Sequence, residues 1–487
     1  MRTIMSMRTA LLLLTALVVL QCQASSPEPV QKCRVIVLTD IEADPDDTQS
    51  MVRLLLYSNV IDIKGIVATT STHMRNQIHP ESVERVIRAY GKVKVNLAKH
   101  EAGYPDAEAL LKLVKRGLPE YGMKGIGEGR DSQGSEWILK VLNENDARPL
   151  WISVWGGANT LAQALFKIQK TRSEADAQKL VAKLRVYTIS DQDDTGIWIR
   201  NNFPDLFFVV TPGGYGGSTW SAITEFAPGF NSEVISNKWL ANNIQQGHGP
   251  LGAVYPDVAY GMEGDTPSWL SLIPNGLNAP EHPNWGGWGG RYELFKPALA
   301  DMDVNGFTGG VPIEPETRAI WTNAIDRCAP YLYGDYGRAI RVDSTVRSGN
   351  KVTLWRWRED FQSDFAARMD WCTKSYKEAN HPPAPILTHP GELSLQPSEP
   401  FWLDGSTSSD PDGDNLSYVW FQYPEAGTYK DLIKINGSEN LARLYITAPE
   451  VKQKQTVHFI LKVTDKGSPP LSRYRRVIVN LMPKQNG

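Results

Sequence analysis

The chain has 487 residues, too many for one small domain, and its content of 41% hydrophobic and 22% charged residues is typical of a globular protein. The formal net charge is −3. A balance this close to neutrality provides no electrostatic footprint for nucleic acid or for an anionic membrane surface, so neither is expected as a partner.

The first residues have the pattern of an export signal. Arg2 and Arg8 flank the start of an apolar run over residues 11–20, which is too short to span a bilayer. Ala24 offers a small residue for signal peptidase. We therefore expect residues 1–24 to be a signal peptide and the protein to be exported, to the periplasm or out of the cell.

A lipid anchor is the alternative for the same segment. Cys22 follows an apolar run, but Gln21 is a poor residue directly before a lipidated cysteine. Export without an anchor is the preferred interpretation, and no membrane-spanning helix is predicted. Residues 25–33 form a leader rich in Ser and Pro.

From residue 34 onward, strand-like runs alternate with helical ones. Strands are predicted at residues 35–39, 61–69, 93–97, 150–155, 184–190 and 206–211. Helices are predicted after Pro45 and at residues 82–90, 135–142, 160–170, 174–183, 315–328 and 357–379. The alternation indicates an α/β domain over residues 34–380 with a mostly parallel sheet. Residues 245–310 are rich in Gly, Pro and Trp and predict long loops, which are usually functional at this length.

Composition changes at residues 381–386, a Pro-rich linker. Short β-rich runs follow, separated by turn residues, and they predict an Ig-like β-sandwich over residues 387–487. Of the cysteines beyond the signal, Cys328 and Cys372 lie in predicted helices and could pair in an oxidising compartment, whereas no spacing resembles a zinc or redox motif.

The densest chemical signal is a group of five carboxylates within eight residues. They come directly after the apolar run at residues 35–39, and they are Asp40, Glu42, Asp44, Asp46 and Asp47. Because open α/β sheets form their ligand crevice at the carboxyl ends of strands, this position favours a binding site. So many like charges repel one another and need a cation or several hydrogen bonds, and oxygen ligands in this number suit Ca²⁺.

The alternative to a metal site is that these acids only stabilise the N-terminus of a helix. Asp44 as N-cap, Pro45 at the first helical position and acids in the first turn are favourable at a helix N-terminus. Capping accounts for Asp44 and one further acid. It leaves Asp40 and Glu42 unexplained, since both precede the helix.

Three segments together resemble the nucleoside hydrolases. Asp40-x-Glu42-x-x-x-Asp46-Asp47 is similar to that family's Asp-x-Asp-x-Gly-x-Asp-Asp signature after the first strand. Val154-Trp-Gly-Gly-Ala-Asn-Thr-Leu-Ala162 is similar to its Gly-Pro-Leu-Thr-Asn-Leu-Ala segment, and Tyr255-Pro-Asp-Val-Ala259 to its His-Asp-x-x-Ala segment. The resemblance covers roughly residues 34–330 and implies a Rossmann-like fold.

The whole architecture resembles a subgroup of nucleoside-hydrolase-like cellulose-binding proteins. The supporting runs are His248-Gly-Pro-Leu-Gly252, Glu263-Gly-Asp-Thr-Pro-Ser268, Trp285-Gly-Gly-Trp-Gly-Gly-Arg-Tyr292 and Asp364-Phe-Ala-Ala-Arg-Met-Asp-Trp371. This resemblance implies a polysaccharide as one class of partner.

The resemblance assigns roles residue by residue. Asp47 matches the bidentate calcium ligand, Glu42 the second ligand, and Asp257 the distal ligand. Asn159 matches the residue whose backbone carbonyl binds the metal. Asp46 matches the carboxylate taken as general base for the attacking water. The implied chemistry is inverting hydrolysis through an oxocarbenium-like transition state, with Ca²⁺ holding the water and two sugar hydroxyls.

The chain departs from the family pattern at three positions. Glu42 is one methylene longer than the usual Asp, and Asp44 replaces a Gly. Pro256 stands where nucleoside hydrolases often have a His that assists departure of the base, which weakens nucleoside as the substrate. Candidates for a replacement acid are His248, Glu263 and Asp265, although a surface or capping role is favoured for each.

Tryptophan clusters and a second acidic turn complete the candidate sites. Trp285 and Trp288, flanked by glycines, are interpreted as a ligand wall, whereas Trp355, Trp357 and Trp371 are interpreted as core. The predicted substrate-binding set is Asp40, Asp44, His248, Asp265, Trp285 and Trp288. The run Asp410-Pro-Asp-Gly-Asp414 resembles turns of Ig-like repeat domains; a tight acidic turn is favoured, with a second Ca²⁺ site as the alternative.

The sequence thus predicts an exported, Ca²⁺-dependent glycosidase that cleaves an N- or O-glycosidic bond of a carbohydrate or nucleoside-like substrate. The alternative is a polysaccharide-binding protein that grips a cell-wall glycan without cleaving it.

Overall fold

The computed structural model describes residues 31–484, except for 218, 330–331, 334–338, 341–344 and 436–438. The predicted signal peptide, the possible anchor at Cys22 and most of the leader lie outside the described residues. Among the described residues, no helix is both long enough and apolar enough to cross a membrane.

An eight-stranded sheet forms the centre of the α/β part. Its strands are β1 (Cys33–Thr39), β2 (Ile61–Ala68), β3 (Val114–Arg116), β4 (Leu150–Val154), β5 (Leu184–Thr188), β6 (Phe207–Val209), β7 (Tyr292–Phe295) and β8 (Ile320–Asn323), in the spatial order β3-β2-β1-β4-β5-β6-β8-β7. All neighbouring pairs are parallel except β7 with β8. The predicted α/β fold class is therefore confirmed.

Helices cover both faces of this sheet. They are α1 (Asp46–Leu56), α2 (Pro80–His100), α3 (Ala107–Leu111), α4 (Gln133–Leu142), α5 (Asn159–Thr171), α6 (Glu174–Val181), α7 (Thr195–Asn202), α8 (Thr219–Thr224), α9 (Asn237–Leu240), α10 (Gly249–Ala253), α11 (Pro267–Leu270) and α12 (Val352–Asp370). Along β1, Val35 and Val37 join the core beneath α1, α2 and α12, while Ile36 and Leu38 join the core beneath α4 and α5. A strand buried on both faces explains why this run lacks polar alternation.

The strand order places a ligand crevice beside β1. The chain proceeds outward from β1 to β3 and then returns to β4 on the other side of β1. At such a reversal, the connections after the two neighbouring strands diverge and leave a cleft at their carboxyl ends. The loops after β1 and β4 therefore form opposite walls of one cleft.

Two sequence predictions in this part are wrong. Residues 93–97 lie within α2 and form no strand. Their alternating apolar and polar residues mimic a strand, but Val93 and Leu97 share one buried helical face while Val95 is 70% exposed. Residues 315–328, predicted to be helical, instead contain β8 and β9 (Asp326–Cys328).

The pairing of Cys328 with Cys372, which the sequence leaves open, is not formed. Both are free thiols, as is Cys33. Cys328 lies on β9, whereas Cys372 is buried directly after α12.

Two short antiparallel strand pairs lie outside the large sheet. Strand β10 (Leu332–Tyr333) pairs with β11 (Ala339–Ile340), and β12 (Arg347–Gly349) pairs with β9.

The C-terminal residues form two β-sheets around a separate apolar core. The strands are β13 (Glu392–Leu395), β14 (Pro400–Asp404), β15 (Ser417–Gln422), β16 (Arg443–Thr447), β17 (Gln455–Thr464) and β18 (Ser472–Leu481). One sheet has the order β13-β18-β17-β15, and β14 pairs with β16 in the other. Trp420 and Phe459 pack with Leu444 and Ile446 between the sheets, which confirms the predicted small β-sandwich.

The sandwich packs tightly against α12. Asp360 accepts a hydrogen bond from Lys462 at 2.6 Å, and Asp364 accepts one from Arg473 at 2.5 Å. Residues from Lys32 onward belong to one compact unit. The domain boundaries at residues 380 and 386 stay a prediction, but the segment between them is no free spacer, since His381 is 3% exposed.

Candidate carboxylate centre

The β1–α1 loop brings three buried carboxylates to the cleft. Asp40 follows β1 directly, and Asp46 and Asp47 form the first turn of α1. The Thr39 hydroxyl donates to Asp47. The Asp46 backbone N–H donates to Asp44 Oδ1 at 3.0 Å. Asp44 therefore fixes the loop before α1, but Pro45 rather than Asp44 stands at the N-cap and no side chain of the described residues caps the helix, so the capping alternative is wrong in this detail. Asp40, Asp46 and Asp47 are buried, and Asp47 lies close enough to the other two for their charges to act on one another.

The β4–α5 loop closes the opposite wall through two glycines. A Cβ atom on Gly156 would lie 2.6 Å from Asp40 Oδ1, so only glycine lets the backbone approach this carboxylate. Asn159 begins α5, and its backbone N–H donates to Asp193 at 3.2 Å. The Asn159 amide donates to Thr70 at 3.0 Å and accepts from Thr69 at 2.6 Å. Its side chain therefore fixes loops and has no oxygen left for a ligand.

Asp265 supplies the fourth carboxylate, from a turn more than two hundred residues along the chain. It is 2% exposed, and its Oδ2 atom is buried with no hydrogen-bond partner among the described residues. The charges of Asp46, Asp47 and Asp40 all act on it and, together with burial as the largest cause, hold its pKa well above the usual range. A buried acceptor without a partner, facing three other acids, is an unsatisfied position that calls for a cation.

A buried ion pair holds the turn that carries Asp265. Glu263 is fully buried and pairs with Arg53 of α1 at 2.6 Å. It also accepts from Tyr255 at 2.8 Å and from Thr266 at 2.9 Å. Because Arg53 lies on the same helix as Asp46 and Asp47, the pair sets the distance between this turn and α1. Glu263, a candidate acid from the sequence, is thus a positioning residue.

Gln49 of α1 reinforces the same arrangement. Its side chain accepts from the Glu263 backbone N–H at 2.8 Å and donates to the Pro256 carbonyl at 3.0 Å. A Cβ atom on Gly264 would lie 2.5 Å from Asp46 Oδ2. Glycine at this position therefore lets the backbone of the turn lie close to the Asp46 carboxylate. Helix α1 therefore carries both the acids and the residues that hold their distant partner in place.

The buried carboxylates of the centre repel one another when they are ionised. Burial, followed by nearby carboxylates, raises the pKa of Asp40 to about 6 and raises the pKa values of Asp46 and Asp47 well above normal. Among the described residues, the acids of this corner that form ion pairs are Glu263, with Arg53, and Glu42, with Arg85. Protons or a metal ion must therefore compensate the remaining charge.

The structure does not bring Glu42 or Asp257 to this centre. Glu42 has a φ of 84° and turns outward to Arg85 of α2, with 2.7 Å between Oε1 and Nη2. Hydrogen bonds from Ser82 and Arg85 lower the pKa of its carboxyl group. Asp257 is exposed and accepts from Gln245 at 2.9 Å. The buried carboxylate opposite α1 is Asp265, eight residues further on, because the Arg53–Glu263 pair draws that turn inward.

Three other predicted substrate-binding residues pack against α12 or the sandwich and form no hydrogen bond or ion pair with the acids of the centre among the described residues. His248 is buried against the end of α12, with its Nε2 atom 3.1 Å from Asp370. Trp288 is fully buried and packs edge-on against Phe361 of α12. Trp285 stacks on His282 at 4.0 Å and lies edge-on to His458 of the sandwich. In the Gly-rich loop that carries both tryptophans, a Cβ atom on Gly286 would clash with the Tyr423 hydroxyl of the sandwich, and one on Gly287 would clash with Asn278 Oδ1. Close packing on both sides of the loop therefore explains these glycines.

Sequence analysis missed four aromatic side chains that extend from the centre to the surface. The Trp220 indole donates to Asp46 Oδ2 at 2.7 Å, and Tyr215 lies 6.0 Å from the Trp220 ring. Tyr215 lies 3.1 Å from the His73 Nε2 atom, and Phe307, 69% exposed, contacts both. We name Trp220, Tyr215, His73 and Phe307 the aromatic strip. No local motif marks these residues, since they come from three separate segments of the chain.

The residues present fit a hard divalent cation. Asp44, Asp46 and Asp47 each place one oxygen within 4.8 Å of the others, and the unpartnered Asp265 oxygen faces the same charges. A donor set made only of oxygen favours Ca²⁺ or Mg²⁺ over a transition metal.

A Rossmann-like α/β domain with an acidic centre at its topological switch point defines the class of nucleoside-hydrolase-like proteins. The family model "Cellulose-binding Sde182, nucleoside hydrolase-like domain" matches residues 34–292, more than half of the chain. The model "Cellulose-binding protein Sde0182, C-terminal domain" matches residues 400–481. The chain therefore belongs to the Sde182 nucleoside-hydrolase-like family, which confirms the resemblance derived from the sequence.

A solved structure supports this assignment over nearly the whole chain. It is a nucleoside hydrolase-related hypothetical protein from Saccharophagus degradans associated with carbohydrate metabolism, 34% identical, with a TM-score of 0.75 over 93% of this chain and all of that one. Two other solved structures align too weakly to carry weight. A PKD domain from the KIAA 1837 protein is 27% identical over 20% of this chain and 84% of its own, with a TM-score of 0.15. The effector protein XOO4466 is 10% identical over 71% of this chain and 95% of its own, with a TM-score of 0.35. No curated protein matches.

Proposed function

We propose that the carboxylate centre binds Ca²⁺ and hydrolyses a glycosidic bond of a carbohydrate. The observation that carries this proposal is the convergence of four buried carboxylates with no basic partner among the described residues. Simple sugar binding has no need of such a costly arrangement, because neutral hydroxyls are recognised by neutral donors and acceptors or by single exposed carboxylates.

The proposed metal ligands are Asp40, Asp47 and Asp265. Asp265 takes the distal place that the sequence assigned to Asp257, and Glu42 is left outside. The backbone carbonyl of Asn159 stays a predicted ligand. When bound, Ca²⁺ would supply a fixed positive charge that orients a water molecule and sugar hydroxyls.

Asp46 is the proposed general base. One of its oxygens accepts from the Trp220 indole, which orients the carboxylate, and its pKa is raised towards the range useful for proton transfer. As the water oxygen bonds to the anomeric carbon and the glycosidic bond breaks, one water proton moves to the other Asp46 oxygen and the leaving group takes up a proton from solvent. The remaining negative charge of the centre stabilises the oxocarbenium-like transition state. With no covalent intermediate, the product anomer is inverted.

A carbohydrate is the proposed substrate class. The family is named for cellulose binding, and the similar solved structure is associated with carbohydrate metabolism. The aromatic strip leads away from Asp46, from the partly buried Trp220 and Tyr215 to the exposed His73 and Phe307, and so offers ring faces for sugar rings bound beyond the cleavage point. The proposed location is outside the cytoplasm, in agreement with the signal pattern of residues 1–24.

A binding protein without catalysis is the second candidate. Two observations favour it: Glu42 is bound to Arg85 outside the centre, and Pro256 replaces the family's acid. In that case, the same cleft and aromatic strip would hold a glycan chain without cleaving it.

A release assay on the full chain decides between the two. We expect chelator-sensitive turnover on at least one of p-nitrophenyl pentosides, nucleosides or plant oligosaccharides, with loss of at least about 10²-fold in Asp46→Asn, and an inverted anomer by NMR. Asp257→Asn, an exposed carboxylate outside the centre, is the matched control and should keep full activity. No turnover on any of these substrates, together with chelator-insensitive binding to cellulose, overturns the enzyme proposal.

A further inference from the structure

The turn between β14 and β15 gathers a second set of carboxylates. Asp410, Asp412 and Asp414 each place one oxygen within 4.8 Å of the others. Asp410 Oδ1 accepts from the backbone N–H groups of Asp412 at 2.9 Å and Asp414 at 3.1 Å, which fixes the turn. The other oxygen, Asp410 Oδ2, is buried and has no hydrogen-bond partner among the described residues. These contacts alone would describe a tight acidic turn.

A fourth carboxylate, at the end of another strand, lies near this turn: the adjacent residues Asn380 and His381 donate hydrogen bonds to Asp465 and Asp412, and the charge of Asp410 acts on Asp465. Asp465 follows β17 directly and is 1% exposed. Its Oδ1 atom accepts three hydrogen bonds, from Leu471, Gly467 and Asn380, at 2.9, 3.0 and 3.1 Å. Its Oδ2 atom is buried and, like that of Asp410, has no partner within the part of the chain that is described. Burial, with the charge of Asp410, raises the pKa of Asp465 to about 6.

Two unsatisfied buried carboxylate oxygens on neighbouring acids are costly unless a cation lies between them. The basic group that contacts this cluster is His381, whose Nδ1 atom lies 2.9 Å from Asp412 Oδ1. His381 pairs with Asp412 alone, so it does not neutralise the negative charge of Asp410 or Asp465.

We infer that Asp410, Asp412, Asp414 and Asp465 form a second divalent-cation site, suited to Ca²⁺, at the junction between the α/β part and the sandwich. The donors are all carboxylate oxygens, drawn from one turn and one strand end, and a set of several carboxylates suits the larger ion with its irregular coordination better than Mg²⁺. The absence of thiolate or free imidazole donors in this cluster of described residues argues against zinc.

The position of this junction site links metal binding to the attachment of the sandwich. The His381 backbone N–H donates to Asp412 at 2.7 Å, and Asn380 donates to Asp465. The His381 ring stacks on Tyr376 at 3.8 Å and on Trp371 at 5.2 Å. A cation that fixes Asp412 and Asp465 therefore also fixes residues 380–381, where the chain enters the sandwich. Metal removal is expected to loosen this entry point first.

Titration of the chelator-treated full chain with CaCl₂ by calorimetry tests the inference. Wild type is expected to bind two ions. Asp465→Asn and Asp414→Asn should each keep one ion at its wild-type affinity and bind the other at least about tenfold more weakly, since even outer-shell partners of a metal contribute about 10–100-fold. Asp265→Asn should lose the other ion. Asp431→Asn, an exposed carboxylate of the sandwich, is the matched control and should keep both.

The outcomes separate this site from the carboxylate centre. Two ions in wild type with one lost or weakened in Asp465→Asn support the junction site, whatever happens to Asp265→Asn. Two ions with unchanged affinities in both Asp465→Asn and Asp414→Asn overturn it. Limited proteolysis gives a second readout: chelated wild type should be cut faster within residues 381–386 than the calcium-loaded protein, and Asp465→Asn should be cut fast in both conditions. Equal cutting of wild type with and without calcium counts against the junction site.

Discussion

Replacing Asp40 with asparagine should stabilise the metal-free protein and destabilise the calcium-loaded one. Asp40 is fully buried beside Asp47, and burial raises its pKa to about 6 from 3.8. Asparagine has the same shape, so it fits beside Gly156, but it carries no charge. The variant therefore removes a strained charge from the centre without opening a cavity.

The magnitude follows from the pKa shift. A shift of about 2 pKa units corresponds to roughly 3 kcal/mol. Because the folded-state pKa lies above that of the unfolded chain, the folded protein binds the extra proton, and stability is lost as the pH rises from about 4 to about 6. With an unfolding entropy of about 2.1 cal/mol/K per residue over roughly 450 residues, 3 kcal/mol corresponds to about 3 °C in Tm.

Thermal unfolding in chelator and in calcium provides the measurement. In chelator at pH 7.5, Asp40→Asn should melt about 3 °C above wild type, and the difference should vanish near pH 4. In saturating calcium the order should reverse, because wild type keeps a ligand that the variant lacks. Asp257→Asn should follow wild type throughout. If Asp40→Asn melts below wild type in chelator at pH 7.5, the centre is not strained by its own charge and the reasoning fails.

Two further changes test the residues around the centre. Arg53→Met should cost about 3–5 kcal/mol of folding free energy in denaturant titrations, because it leaves Glu263 buried and unpaired. The double variant Arg53→Met/Glu263→Gln should recover most of this loss, and no recovery would contradict the ion-pair role. Trp220→Phe should shift the acidic limb of the activity profile to higher pH, because the indole N–H lowers the pKa of Asp46; an unshifted limb would rule out Asp46 as the titrating base.

Local sequence was sufficient wherever the chemistry is encoded by neighbours in the chain. The apolar run before Asp40 and the acids around Pro45 specify a buried strand, a loop and a helix start, so Asp40, Asp46 and Asp47 could be placed at a strand end from sequence. The same holds for the sandwich, whose short strands and turns repeat at regular spacing. Val95 marks the limit of such reasoning, since an alternating run of five residues satisfies both a strand and one face of a helix.

Only the tertiary structure decided which distant residues complete the centre. The resemblance assigns the distal position to Asp257, whereas the buried carboxylate opposite α1 is Asp265, because Arg53 pairs with Glu263 and holds that turn against the helix. Glu42 has the right position in the motif, but Arg85 on a neighbouring helix holds its side chain outside. The sequence favours Trp288 as part of a ligand wall, but in the fold it is buried against Tyr474 of the sandwich. Each outcome depends on a contact between residues far apart in the chain, and the free energy of that contact cannot be read from local propensity.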